Sequence, residues 1–386
     1  QGEYYFLLLS STLGMTVMAS SRDLVSIFVA LELLSIPAYM LAGWRKGDRR
    51  GNEAGVKYYL MGVFASAVML YGMSLLYGLS GSTLLTDIGA AVSGGDTRPF
   101  VSLGVIFVII GFAFKVSAVP FHTWAPDTYE GAPTPITAFL AVSSKAAGFV
   151  ALLQLILIAF IGRDDVVGPL MWVLAALTMT VGNLIALRQT NVVRLLAYSS
   201  IAQAGYILVP LAVAGSGPGE ASQSAFTAAV VYLLVYAAMN LGAFAIVIAV
   251  ARKTRSGEIS SYGGLYEYAP GLAVIMTIFL FSLAGIPPLA GLWAKLFVFR
   301  AVIDAGTPWA LLLGVVVAVN SVIALFYYAA IAKEMWMNPV PDGDKTRIRV
   351  PAPIIAALGI TAVVVVAVGV YPQTFANFGD LASLVP

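Results

Sequence analysis

The chain has 386 residues, 60% of them hydrophobic and only 10% charged, with a mean hydropathy of +0.91. That is more apolar surface than a soluble domain can hide. The net charge of +2 is spread over short loops, which argues against a nucleic-acid or acidic macromolecular substrate. With no cysteine and one histidine, iron-sulfur clusters, thiolate metal sites and bis-histidine haem are excluded.

In chain order, apolar runs of about 17 to 25 residues between turn signals mark eleven spans. They cover 4–20, 24–44, 57–79, 100–130, 133–161, 169–187, 195–214, 223–251, 270–305, 308–332 and 352–371. The fold class is therefore an all-α polytopic membrane protein forming a single membrane domain over 1–386. The first run begins at Gln1 without a basic n-region or an A-x-A cleavage site, so it reads as the start of a trimmed chain and not as a signal peptide.

The fourth and ninth spans are too long for one crossing and contain Pro120 and Pro287-Pro288. Proline removes a backbone donor and clashes with the preceding turn, so each is expected to be two half-helices about an unwound point. The two breaks are five spans apart, and an odd separation makes them run in opposite directions. This predicts two inverted five-helix repeats, 4–161 and 169–332, with 352–371 appended, an architecture in which broken helices mark an ion site.

Orientation follows from the basic residues. Alternate loops at 45–57, 188–194, 252–255 and 333–349 hold fourteen of the 21 lysines and arginines. The opposite set holds only Arg22, Arg98, Arg163 and Arg300. The first set is expected in the cytoplasm of a bacterial inner membrane.

The remaining basic residues, Lys115, Lys145 and Lys295, lie inside spans together with Glu32. An ion at mid-bilayer costs on the order of 2.5 to 3.5 kcal/mol, so such residues are usually there to move charge. Lysine can lose its proton when buried and arginine cannot, which suits the lysines to a relay. Lys115 lies five residues before Pro120, close to carbonyls the break frees. Lys145 stands among Ser143, Ser144, Ala146, Ala147 and Gly148, small neighbours that admit water or a close helix. Lys295 follows the second break. Glu32 is expected to pair with a lysine, and His122, two residues past Pro120, to relay protons beside the break. Asp127 and Glu130 are expected to hold their loop. No P-loop and no G-x-G-x-x-G after a strand is present, so electron transfer must occur elsewhere.

At these positions the motifs resemble the antiporter-like subunits of respiratory complex I. FKVSAVPFHTWAPDTYEGAPTP from Phe114 to Pro135 is similar to that family's broken-helix motif. QTNVVRLLAYSSIAQAGY from Gln189 resembles its following helix junction, and LAGIPPLAGLWAKLFVF from Leu283 its second broken helix. ALELLSIPAYMLAGW from Ala30 to Trp44 completes the resemblance, which covers nearly the whole chain. Lys295 stands where M-type subunits typically carry glutamate, and no lateral helix like that of the L-type follows, so the N-type is implied. The resemblance implies Glu32 and Lys115 as a regulating ion pair, Lys145 as the central relay, Lys295 as the outward gate and His122 as a bridge between half-channels. It implies no cofactor in this chain, with FMN, iron-sulfur clusters, NADH and quinone in partner subunits. The partners would be neighbouring antiporter-like and small membrane subunits, with lipid, in a hetero-oligomer. The family usually carries about three further helices at the N-terminus, expected before Gln1. The alternatives are a subunit of a multisubunit Mrp-type cation/proton antiporter and a non-conducting structural subunit.

Overall fold

The structure, a computed structural model, describes residues 2–93, 99–215 and 219–373. Arg98, one of the basic residues counted for orientation, lies outside these, as do Gln1 and the chain beyond 373. The helices are α1 (Gly2–Ser20), α2 (Leu24–Ala42), α3 (Arg49–Ser80), α4 (Leu85–Ser93), α5 (Pro99–Lys115), α6 (Trp124–Gly131), α7 (Thr134–Phe139) and α8 (Lys145–Gln154). They continue as α9 (Asp164–Ala186), α10 (Val192–Val213), α11 (Gly219–Thr254), α12 (Leu265–Tyr268), α13 (Pro270–Ala284), α14 (Ala290–Ala305), α15 (Pro308–Met337) and α16 (Ala352–Val370). Each of the eleven expected spans contains its helix. Among the described residues, eight are long and apolar enough to cross a membrane, including the run Thr134–Ala159 that contains α7 and α8. The helix α1 and the broken pairs α5/α6 and α13/α14 fill the remaining three expected spans.

Local chemistry sets the helix ends. Asp23 caps α2 by accepting from the Ser26 amide at 2.8 Å. Asn191 caps α10 by accepting from Val193 and Arg194 amides at 2.9 and 3.2 Å. The same two caps also make isolated antiparallel bridges, Asp23 with Leu84 and Asn191 with Glu258. Each bridge ties the loop before a capped helix to the segment after the next long helix. At the first break α5 ends at Lys115 itself, five residues earlier than the proline, and α6 resumes at Trp124. At the second, α13 ends at Ala284, Gly285 takes a left-handed φ of 92°, and α14 starts at Ala290. The Val119-Pro120 and Pro287-Pro288 bonds are cis. The run from α7 to α8 is interrupted by a π turn at Leu140–Ser144, immediately before Lys145, and another follows at Leu155–Ala159.

Polarity is distributed as a membrane requires. Phe6, Leu9, Phe64, Phe326 and Ile360 are exposed on the outer helices, whereas Lys115, Lys145, Gln203, Asn240 and Lys295 are buried. The helix α10 is enclosed almost throughout, with nearly every residue from Leu195 to Val213 buried. It lies so close to α9 that a Cβ on Gly182 would come within 2.8 Å of the Ala202 backbone nitrogen. Packing of small residues, available without a hydrophobic driving force, brings these two helices together.

Candidate functional site: a buried lysine axis

Lys115 and Lys145 are each 2% exposed and Lys295 5%. None is near enough to solvent for its ammonium to reach the surface by extending, so each must find its partners inside.

Lys115 Nζ donates to Ser35 Oγ at 2.9 Å and to Tyr58 OH at 3.2 Å. It also lies 5.7 Å from the centroid of the Tyr58 ring, within cation–π range. Tyr58 stacks on Trp124 at 4.3 Å, and Trp124 returns its indole N–H to Phe114 O at 3.1 Å. The residue after the break thus locks the aromatic wall around the lysine before it. Glu32 is half-buried one turn from Ser35 on α2, where its carboxylate accepts from Ser66 Oγ at 2.5 Å. Among the described residues no ion pair joins Glu32 to Lys115; Ser35 and Tyr58 hold the ammonium instead. The stem of Lys115 lies against the helix of the next lysine, since a Cβ on Gly148 would sit 3.2 Å from Lys115 Cγ.

Lys145, set at the start of α8 by the π turn, crosses to α10. Its Nζ donates to Ser200 O at 2.9 Å and Ser200 Oγ at 2.6 Å. Tyr236 OH on α11 donates to the same Ser200 Oγ at 2.8 Å and accepts from Asn240 Nδ2 at 3.0 Å. Next along α10, Ser199 Oγ is 2.5 Å from Tyr328 OH. Gln203 donates to that phenol at 3.2 Å and accepts from Tyr232 OH at 2.6 Å. Gln203 Nε2 also donates to Leu283 O at 3.1 Å, and Lys295 Nζ donates to the adjacent Ala284 O at 2.7 Å. The second break therefore frees carbonyls that are taken from one side by an amide of α10 and from the other by the last lysine. Lys295 Nζ lies 4.9 Å from the Tyr206 ring centroid. Tyr206 OH accepts from Asn183, which is held by Asn320 and Tyr327.

His122 is half-buried in the first break and hydrogen-bonds to neither lysine among the described residues; its Nδ1 is enclosed without a protein partner, as is Ser117 Oγ. Ordered water normally satisfies such atoms. Asp127 and Glu130 hold their segment. Arg194 at the start of α10 donates to Asp127 at 2.9 Å and Glu130 at 2.8 Å, and Lys57 reaches Asp127 at 2.7 Å. Asp127, Glu130, Arg194, Arg50 and Glu53 line a polar cavity of about 230 Å³ joining α3, α6 and α10. Sequence reasoning passed over Ser35, Tyr58, Ser200, Gln203, Tyr206 and Tyr236. Four of these lie inside the quoted stretches 30–44 and 189–206, where hydroxyls and an amide in an apolar run were the available signal. Among the described residues no group of three or more His, Asp or Glu is placed to hold a metal.

Residues 21–321 match the family model described as NADH:quinone oxidoreductase/Mrp antiporter, transmembrane. The chain belongs to this family. It is 45% identical over 386 residues to NADH-quinone oxidoreductase subunit N of Heliobacterium modesticaldum, covering 99% of this chain and 78% of the relative. A chain of respiratory complex I from Thermus thermophilus, solved with bound aureothin, superposes with a TM-score of 0.81 at 35% identity, covering 98% of this chain and 80% of that one. A chain of the Mrp complex from Dietzia sp. superposes with a TM-score of 0.86 at 23% identity over 97% of this chain and 76% of that one, a likeness of fold. Membership of the antiporter family fits an axis of buried lysines running between two helix breaks.

Proposed function

We propose that the chain is the proton-translocating subunit N of an NADH-quinone oxidoreductase, moving protons while partner subunits oxidise NADH and reduce quinone. The observation that carries this is the axis itself. Three enclosed lysines donate to hydroxyls and carbonyls of α2, α3, α10 and α13. Lys115, Lys145 and Lys295 are the proton-holding groups, Glu32 modulates Lys115 from α2, and His122 serves the first break between Lys115 and Lys145. The resident FMN and iron-sulfur clusters belong to partner subunits.

The two five-helix units 4–161 and 169–332 are inverted repeats in this reading, with the appended helix at 352–371. Support comes from the capped and bridged pairs Asp23–Leu84 and Asn191–Glu258 and from a broken fourth helix in each unit. The basic loops face the cytoplasm, with Lys115 on the inner half-channel and Lys295 on the outer.

The test is a native mass spectrum of the complex combined with ion flux in vesicles. Copurification with flavin and iron-sulfur subunits and NADH-driven proton uptake without added sodium supports this reading. Sodium-dependent flux in the absence of those subunits would assign the chain to an Mrp-type antiporter.

A further inference from the structure

Lys295 has a second neighbour on the far side of its helix. Residues two apart on a helix point about 200° from each other, so Trp293 faces away from the axis that Lys295 enters. There its indole Nε1 donates to Gly369 O of α16 at 2.8 Å. Gly369 in turn lies against the second break: a Cβ there would fall 2.0 Å from Pro288 O and 2.8 Å from Leu289 Cα. These are backbone atoms that no side-chain rotation can move. Leu358, Val365, Val368 and Gly369 of α16 are buried and Ile354, Ala362 and Val364 half-buried against the core, while most of the helix faces outward. The cytoplasmic-side strap before it is pinned as well, with Lys253 Nζ donating to Asp344 O at 2.7 Å and Thr346 O at 2.8 Å over the Tyr268 ring.

We infer that α16 is a clamp on the second break, and that Trp293 and Gly369 are positioning residues that set where the Lys295 ammonium meets the freed Ala284 carbonyl. The half-helix α14 starts only five residues before Lys295 and has no covalent continuity of helix with α13, so its register depends on what holds its first turn. From the axis side Ser282 Oγ accepts from the Gly291 amide at 3.0 Å. From the outer side the Gly369 contact and the Trp293 hydrogen bond complete the grip. Shifting α14 would carry Lys295 away from Ala284 O and from the Tyr206 ring together. Misplacing a reacting group by about 1 Å can cost roughly 100-fold in rate.

The inference rests on the proposed relay, and one set of variants in the assembled complex separates the two. Trp293→Phe removes the N–H donor and keeps an aromatic ring, Gly369→Ala adds a methyl group into the contact, and Lys295→Ala removes the relay group. Gly359→Ala is the control, since a Cβ there has nothing within 4 Å. Membrane vesicles are assayed for protons moved per NADH oxidised, for the pH profile of that ratio, and for assembly on native gels. Trp293→Phe is expected to lower the ratio by up to about five-fold, the factor one neutral hydrogen bond is worth, and to shift its pH profile. Gly369→Ala should lower it further, and Gly359→Ala should match the parent. If Gly369→Ala fails to assemble, Trp293→Phe decides alone. A defective Lys295→Ala beside a Trp293→Phe that matches the parent in ratio and pH profile overturns the clamp and leaves the relay standing. A Lys295→Ala that pumps normally overturns the relay, and the clamp with it.

Discussion

Glu32 lies one helical turn from Ser35 on α2, and Ser35 accepts from the Lys115 ammonium of α5. Their coupling therefore acts through space and through a hydroxyl, which makes it sensitive to the reach of the acid. Glu32→Asp is expected to reduce coupled pumping less than Glu32→Ala, with both variants assembling, as vesicle acidification and native gels would report. Equal loss from the two would contradict this graded dependence, since aspartate keeps the charge that alanine removes. At Ser200 a single hydroxyl serves both Lys145 and Tyr236. Ser200→Ala should weaken the site by about 1.5 to 3 kcal/mol, the scale of a hydrogen bond to a charged group, seen as a lower thermal midpoint of the purified complex. The lysines were legible in the sequence because a charge in an apolar run is costly enough to stand out. Their partners were not, because serine, tyrosine and glutamine cost little in a span and become meaningful only when α10 places them opposite an ammonium.

Helix α10 carries the middle of the axis, and its position depends on the close approach to α9 at Gly182. Gly182→Val is expected to push α10 away from α9 and destabilise the chain by about 1 to 3 kcal/mol, the usual cost of overpacking. A complex that assembles and melts like the parent would contradict this. The breaks were readable from prolines in overlong apolar runs. Pro120 lies within the unwound stretch 116–123, but the helix before it stops five residues earlier, because proline marks where a helix cannot continue and not where it has already stopped. Lys115 is the last residue of α5, so it is a helix-end group and not a mid-helix one. The short helix α4 and the π turn before Lys145 left no hydropathy signal. The first is too short to count as a span, and the second changes hydrogen bonding without changing composition.

For the molecule as a whole, spans and polarity follow from composition, whereas the joining of α3, α6 and α10 by Lys57, Asp127, Glu130 and Arg194 needed the three-dimensional structure. Since the chain has no cysteine, its orientation can be read with single introduced ones. Asp342→Cys should be labelled by a membrane-impermeant reagent only from the cytoplasmic side, and Ile161→Cys only from the outer side; the reverse pattern would invert the proposed topology. The central claim is that Lys145 works by holding and releasing a proton. The most direct measurement is proton pumping in vesicles, against assembly on native gels, for Lys145→Arg and Lys145→Ala. Arginine keeps the charge but does not release its proton at accessible pH. The relay therefore predicts that both variants assemble and that arginine loses nearly as much pumping as alanine. Retained pumping in Lys145→Arg with assembly lost in Lys145→Ala would contradict it and leave Lys145 a structural cation.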